Sequence, residues 1–123
     1  MGNSKTILVI EDERKLLEVY KRKFSDIGLN VETAKTVQEG LTLAGHKPNL
    51  IILDIMLPGG KNGFEALASL KKDPVLKQIP VLVLTNLDSE KKTALDLGAM
   101  EYIVKTDIDI ESLLDKVRDI LKF

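Results

Sequence analysis

The sequence predicts an α/β fold in which five parallel strands form one sheet with helices on both faces. Five short apolar or alternating runs alternate with five segments of helical character, which is typical of βα units joined by right-handed crossovers. The central run, Leu50–Leu53, is apolar at every position, as expected for a strand covered on both faces. A length of 123 residues suits one domain, so residues 1–123 are expected to form one domain with an ordered core over about 5–122.

The elements before the central strand each carry a start or stop signal. Thr6–Ile10 is a β-branched apolar run that ends at three consecutive acidic residues, and the helix that follows ends at Gly28. Asn30–Ala34 alternates and predicts a short strand. Thr36 and Glu39 then form a capping box, which opens a second helix.

The elements after the central strand follow a glycine-rich turn. They are, in order, a helix over Phe64–Lys72, a strand over Ile79–Leu84, a helix over Ser89–Leu97 with Asp88 as its N-cap, a strand over Tyr102–Val104 and a final helix. The final helix has the clearest amphipathic pattern in the chain, carried by Ile110, Leu113, Leu114, Val117 and Leu121.

The composition excludes several classes of function. With no cysteine, the chain has no disulfides, thiolate metal sites or cysteine nucleophiles, and its single histidine, His46, lies in a predicted loop. The formal net charge of −1 gives no basic excess for nucleic acid or an anionic membrane. No apolar run is long enough for a membrane helix, and the polar N-terminal residues do not resemble a signal peptide, so the cytoplasm is the expected location.

Chemically active side chains follow four of the five predicted strands. Glu11 and Asp12 follow the first, Asp54 the third, Thr85 the fourth and Lys105 the fifth. Parallel strands present their carboxyl ends at one edge of the sheet, where ligands bind. Three carboxylates repel one another unless a cation lies among them, and ligands that offer only oxygen favour Mg²⁺. A lysine and a hydroxyl opposite suit a phosphoryl group, with the third-strand aspartate as a nucleophile that forms an aspartyl phosphate.

Each of these residues also has a simpler explanation. Acidic residues after a strand often cap the next helix, a threonine at a strand end is often structural, and a lone lysine is usually a solvated surface charge. The joint occurrence of complementary groups at all four strand ends favours the functional interpretation.

The ordered set of motifs resembles a receiver domain of bacterial two-component response regulators. The matching motifs are Glu11-Asp12-Glu13 after ILVI, DIMLPG from Asp54 after LIIL, Thr85 after VLVL, and YIVK ending at Lys105 after Gly98-Ala99. The resemblance covers nearly the whole chain and implies a flavodoxin-like sheet of strand order 2-1-3-4-5. It also implies a signalling module that acts only on its own phosphorylation and dephosphorylation and is otherwise not an enzyme.

The resemblance implies a role for each residue of the acidic group. Asp54 would accept a phosphoryl group from a phosphohistidine on a sensor histidine kinase or phosphotransfer protein. Asp12, Asp54 and the backbone carbonyl of Met56 would coordinate Mg²⁺, and Glu11 would help directly or through water.

The resemblance also implies a switch. Lys105 would contact the phosphoryl oxygens, Thr85 would move to hydrogen-bond the phosphoryl group, and Tyr102 would swing inward. The face made by the fourth helix, fifth strand and fifth helix would change its packing and bind a downstream protein, an output domain outside this sequence, or a second copy in a phosphorylation-dependent homodimer.

Three positions depart from the family pattern. Thr106 stands where a proline usually follows the active-site lysine through a cis bond, so a trans bond and a changed loop are expected. The turn Gly59–Gly63 is one residue longer than usual. Asn86 stands after Thr85 where the family usually has a small residue, and its larger side chain is expected to narrow the access of water or a phosphatase to the site.

Two other functions are compatible with parts of the pattern. A haloacid-dehalogenase-type phosphatase also uses an aspartate nucleophile, but it needs a second aspartate two residues later, where this chain has Met56, and its acidic pair comes last in sequence. A receiver-like scaffold that is never phosphorylated would not need the complete acidic, threonine and lysine set.

Overall fold

The strands and helices follow one another in the predicted alternating order. The computed structural model describes residues 4–58 and 62–122. The strands are β1 (Thr6–Ile10), β2 (Asn30–Ala34), β3 (Leu50–Leu53), β4 (Val81–Thr85) and β5 (Glu101–Val104). The helices are α1 (Arg14–Asp26), α2 (Val37–Ala44), α3 (Gly63–Lys72), α4 (Lys91–Asp96) and α5 (Ile110–Leu121).

All five strands pair in parallel in the order β2-β1-β3-β4-β5, which confirms the predicted fold class and strand order. The first core layer, from α2, α3 and α4, covers the sheet face that carries Leu8, Ile10, Ile51, Leu53, Val81 and Val83. The second layer, from α1 and α5, covers the face that carries Ile7, Val9, Leu50, Ile52, Leu82 and Leu84. All four β3 residues are buried, because the strand lies in the middle of the sheet with helices on both faces.

Local sequence signals predicted most helix and strand boundaries correctly. The backbone N–H of Glu39 donates to Thr36 Oγ1 at 3.1 Å, as the capping box predicts, although the Glu39 carboxylate accepts from Lys35 N at 2.9 Å instead of from Thr36. Gly28 follows α1 at φ +94°, a conformation that glycine adopts without strain. Four of the five residues in the amphipathic pattern predicted for α5 are buried, namely Leu113, Leu114, Val117 and Leu121.

The prediction for α4 is wrong at its N-terminus. The helix begins at Lys91 and not at Ser89, and Glu90 is its N-cap residue in place of Asp88. The preceding loop is held by Leu87, whose N–H donates to Thr85 Oγ1 and whose carbonyl accepts from the Tyr102 hydroxyl. Because these bonds hold the chain at Leu87, the first helical turn forms only after the loop.

Strand ends shift by one or two residues at three places. β4 begins at Val81 and not at Ile79, since Pro80 has no N–H for the ladder, and it includes Thr85 as its last residue. β5 begins at Glu101, one residue before the predicted start.

The trans bond expected between Lys105 and Thr106 is confirmed. Peptide bonds in the described part of the chain are trans, and a 3₁₀ turn over Lys105–Asp107 leads from β5 towards α5. The longer turn predicted after Pro58 falls on Gly59, Gly60 and Lys61, which lie outside the described residues. None of the described helices is both long enough and apolar enough to cross a membrane.

Gly63 is predicted to be required by close packing at the start of α3. Its N–H donates to Ile55 O at 2.9 Å, and a Cβ at this position would lie 2.4 Å from Asp54 O and 2.5 Å from Ile55 Cα. We expect Gly63→Ala to lower the free energy of unfolding by about 1–3 kcal/mol, because backbone atoms would have to move. Urea unfolding measures this change.

The matched control for this prediction is Gly45→Ala at the exposed end of α2. Gly45 has φ −62°, which alanine adopts, and the nearest atom to its added Cβ is Thr42 O at 3.1 Å. We expect a change within about 0.5 kcal/mol there. Equal losses in the two variants would show that the contact with Asp54 and Ile55 does not matter.

Candidate functional site

Three carboxylates meet at the carboxyl edge of the sheet. Side-chain oxygens of Glu11, Asp12 and Asp54 all lie within 4.8 Å of one another. The backbone fixes two of these residues, since Glu11 N donates to Ala34 O at 2.9 Å and Asp54 N donates to Ile10 O at 3.0 Å. Glu11 and Asp54 are buried at 3% and 4% exposure, whereas Asp12 is exposed. The topology thus brings together the three acidic residues that the sequence predicted at this edge.

Lys105 lies among these carboxylates. Its Nζ is 2.6 Å from Glu11 Oε1 and 2.8 Å from Asp54 Oδ2, and its side chain is 11% exposed. Burial acts to lower the pKa of Lys105, but its hydrogen bonds and charge interactions with Asp54 and Glu11 outweigh burial and raise the pKa. The ammonium group is therefore charged at neutral pH and is not a solvated surface charge.

The negative charge of the site exceeds its positive charge. Burial raises the pKa of Glu11 against the opposing effects of Lys105 and of the Glu13 N–H, which donates to Glu11 Oε2 at 3.0 Å. The Asp54 carboxylate raises the pKa of Glu11 further. One ammonium faces three carboxylates, and every side-chain donor is oxygen, so the group fits a hard divalent cation such as Mg²⁺.

The carboxylate of Asp54 is held at both oxygens. Oδ1 accepts from the backbone N–H of Met56 at 3.0 Å, and Oδ2 accepts from Lys105 at 2.8 Å. The Met56 backbone therefore lies beside the carboxylate, while its side chain is 41% exposed. This arrangement fixes the orientation of the acidic group that the sequence singled out as a nucleophile.

The predicted switch residues are linked through the loop between β4 and α4. Thr85 is fully buried, and its Oγ1 accepts a long hydrogen bond of 3.5 Å from Leu87 N. Tyr102 is 8% exposed and donates to Leu87 O, so its side chain is turned inward in this structure. Burial raises the pKa of Tyr102, which keeps the phenol protonated.

Sequence reasoning missed two residues near the site. Leu87 joins Thr85 to Tyr102 through its backbone, and no side-chain pattern signals such a role. Tyr20, on α1, lines the same cavity as Lys105, although its spacing on the helix indicates only an inward-facing apolar position.

Comparison with known proteins gives one consistent family. The model of the response regulator receiver domain matches residues 7–118. The chain is 39% identical over 119 residues to the uncharacterized transcriptional regulatory protein YkoG of Bacillus subtilis (strain 168), covering 94% of this chain and 50% of that protein. It is 37% identical over 119 residues to the response regulator ArlR of Staphylococcus aureus (strain Mu50 / ATCC 700699), covering 94% and 52%. The chain thus spans about half the length of these relatives.

Solved structures agree with this assignment. A CheY-like response regulator receiver domain protein from Methanospirillum hungatei JF-1 superposes with a TM-score of 0.87 at 29% identity, covering 98% of this chain and 95% of that one. The BeF₃-activated N-terminal receiver domain of Klebsiella pneumoniae RstA gives a TM-score of 0.86 at 28% identity, covering 97% and 100%. Sequence, topology and site geometry together show that the chain belongs to the receiver domains of two-component response regulators.

Proposed function

We propose that this domain takes up a phosphoryl group on Asp54, in a Mg²⁺-dependent reaction, from a phosphohistidine on a sensor histidine kinase or phosphotransfer protein. One observation carries the proposal: the buried Asp54 carboxylate is oriented by Met56 N–H and Lys105 and lies within 4.8 Å of the Glu11 and Asp12 carboxylates. A nucleophile held in one orientation beside a cation site suits in-line phosphoryl transfer.

The transfer replaces one bond to phosphorus with another. A carboxylate oxygen of Asp54 attacks phosphorus, a P–O bond forms, and the P–N bond of the donor phosphohistidine breaks with its electron pair going to the imidazole. Lys105, which now pairs with Asp54 Oδ2, contacts the phosphoryl oxygens after transfer. Asp12, Asp54 and the Met56 carbonyl, with help from Glu11, would hold Mg²⁺, which would supply positive charge to offset the charge on the phosphoryl oxygens.

We infer that Thr85 and Tyr102 transmit the change. The 3.5 Å bond from Leu87 N to Thr85 Oγ1 is weak enough to be exchanged for a bond from the hydroxyl to the phosphoryl group. Movement of Thr85 changes the conformation of the loop between β4 and α4. Tyr102 is hydrogen-bonded to this loop at Leu87 O, and the loop leads directly into α4. The expected result is a change in packing between α4, β5 and α5.

The face formed by α4, β5 and α5 is the proposed output surface. Leu95 of α4 and Met100, just before β5, are 39% and 55% exposed, and Lys116 Nζ of α5 lies 2.5 Å from Glu101 Oε1 of β5. Apolar side chains beside charged ones suit a protein partner, which is a downstream target, an output domain outside this sequence or a second phosphorylated copy. The cytoplasm stays the expected compartment for this exchange.

A phosphatase is not favoured by the site. Met56, two residues after Asp54, carries no acid or base, and its exposed side chain leaves this position without a proton donor. Asn86 is exposed beside the buried Thr85, where we expect it to hinder water and so prolong the phosphorylated state.

The proposal is tested by intact mass after incubation with acetyl phosphate, with Mg²⁺ or with EDTA. We expect one added phosphoryl group in Mg²⁺ and none in EDTA. Equal addition in Mg²⁺ and in EDTA would show that the reaction does not need the metal. If neither acetyl phosphate nor a phosphorylated kinase added a phosphoryl group, the alternative of a receiver-like scaffold that is never phosphorylated would be favoured.

Mg²⁺ is predicted to stabilise the folded domain through Asp12. At a Mg²⁺ concentration ten times the dissociation constant, the free energy of unfolding should rise by about 1.4 kcal/mol. Asp12→Asn should lose most of this gain, and it should be the more stable protein in EDTA because one repelling charge is gone. Urea unfolding with and without Mg²⁺ at constant ionic strength measures both effects.

Asp26→Asn is the control for the change in net charge. Asp26 is exposed at the end of α1 and is not part of the acidic group. It should keep the full Mg²⁺ response. If Asp12→Asn responds to Mg²⁺ as strongly as this control, the proposed metal site is wrong.

A further inference from the structure

A cavity of about 180 Å³ lies between α1 and the start of α5, directly beside Lys105. The described side chains that line it are apolar except for Tyr20, Lys105 and Asp109. The Asp109 carboxylate is already used as the α5 cap, where it accepts from Ser112 N at 2.7 Å. Among the described residues Lys105 forms its ion pairs with Glu11 and Asp54 and none with Asp109, so Tyr20 is the other polar side chain in the lining that is available to the lysine.

The Lys105 ammonium has one more N–H than its carboxylate partners use. An ammonium carries three donors, and two are directed at Glu11 Oε1 and Asp54 Oδ2. Within residues 4–58 and 62–122, no third hydrogen bond from this ammonium is formed. Since the side chain is 11% exposed, leaving the third N–H without a partner would be costly.

Tyr20 lines the same cavity and supplies a matching acceptor group. Its ring packs against Phe24 at a centroid distance of 6.0 Å, which fixes its position on α1, and the residue is 6% exposed. Among the described residues its hydroxyl has no direct hydrogen bond. Burial raises the pKa of Tyr20 to about 12, and the charges of Lys105, Glu11 and Asp54 reach it. The phenol thus stays protonated beside the charged cluster.

We propose that Tyr20 is a positioning residue for Lys105, in which its hydroxyl accepts the third N–H of the ammonium through solvent in the shared cavity. The cavity exceeds the roughly 15 Å³ that one water needs, and a bridging water is nearly equivalent to a direct hydrogen bond. The bridge holds Lys105 between Glu11 and Asp54 from a third direction. This inference rests on the proposed function, because it concerns how Lys105 is oriented for phosphoryl transfer.

The test is a double-mutant cycle of Tyr20→Phe with Lys105→Met. Tyr20→Phe removes only the hydroxyl and keeps the ring on Phe24. We expect it to slow phosphoryl uptake from acetyl phosphate in Mg²⁺ by about threefold to tenfold, the effect of one lost hydrogen bond. In the Lys105→Met background the same substitution should change the rate by less than a factor of about two, because the group it acts through is absent.

A purely structural role would give a different pattern. Equal slowing in both backgrounds, or no slowing in either, would overturn the role of Tyr20. The same four proteins are compared by urea unfolding in EDTA, where Tyr20→Phe should lower the urea midpoint with Lys105 present and not in the Lys105→Met background. If wild type takes up no phosphoryl group, the proposed function fails, and the urea cycle alone then supports or overturns the link between Tyr20 and Lys105.

Discussion

Asp54→Asn is expected to abolish phosphoryl uptake. The amide keeps the size of the carboxylate and still accepts from Met56 N–H, which bonds Asp54 Oδ1 at 3.0 Å. It offers no anionic oxygen to attack phosphorus, so the aspartyl phosphate cannot form. The measurement is the time course of intact mass with acetyl phosphate and Mg²⁺, in which the variant should stay at its starting mass while wild type gains one phosphoryl group.

Asp107→Asn is the matched control for this substitution. Asp107 is an exposed aspartate in the 3₁₀ turn that follows β5, and it is not a member of the three-carboxylate group. It should take up a phosphoryl group at the wild-type rate. Uptake by Asp54→Asn at a comparable rate would mean that another side chain is the acceptor.

Lys105→Met is expected to lower the free energy of unfolding by about 3–5 kcal/mol in EDTA at neutral pH. The substitution leaves the Glu11 and Asp54 carboxylates, whose side chains are 4% and 6% exposed, without their cation. Mg²⁺ should restore much of the loss, since a divalent cation replaces the missing positive charge, and its stabilising effect should be larger than in wild type. Urea unfolding with Mg²⁺ and with EDTA measures the loss and its recovery.

Lys116→Met provides the comparison on the surface. Its ion pair with Glu101 is slightly shorter, at 2.5 Å, but the two side chains are 36% and 37% exposed. Solvent screening should limit the loss to about 1 kcal/mol or less, with no dependence on Mg²⁺. If Lys105→Met lowers the free energy of unfolding no more than Lys116→Met does, the buried carboxylates do not depend on Lys105 for their stability.

The parts of this structure that could be predicted from sequence are those set by local pattern or by a general rule of topology. The apolar run of β3 could be recognised because a strand buried on both faces has no polar position. The pairing of Lys105 with Asp54, 51 residues apart, followed from the rule that parallel strands end at one edge. The proximity of the acidic group and the lysine could therefore be predicted from the order of the strands alone.

The parts that could not be predicted depend on single contacts between distant residues. The start of α4 is delayed by the hydrogen bond from Tyr102 to Leu87 O, 15 residues earlier, and no local signal for a helix cap reports it. Tyr20 is another case, because helical spacing shows that it faces inward but not that Lys105 lines the same cavity. Contacts of this kind are fixed by packing.

The most direct test of the central claim is to locate the phosphoryl group on the chain. Wild-type protein would be phosphorylated with acetyl phosphate and Mg²⁺, reduced with borohydride, which converts an aspartyl phosphate to homoserine, and digested for peptide mass analysis. We expect homoserine at position 54 and at no other aspartate, and unreacted Asp54 in a sample prepared in EDTA. Homoserine at Asp12 or another position, or a phosphoryl group on a hydroxyl that survives reduction, would contradict it.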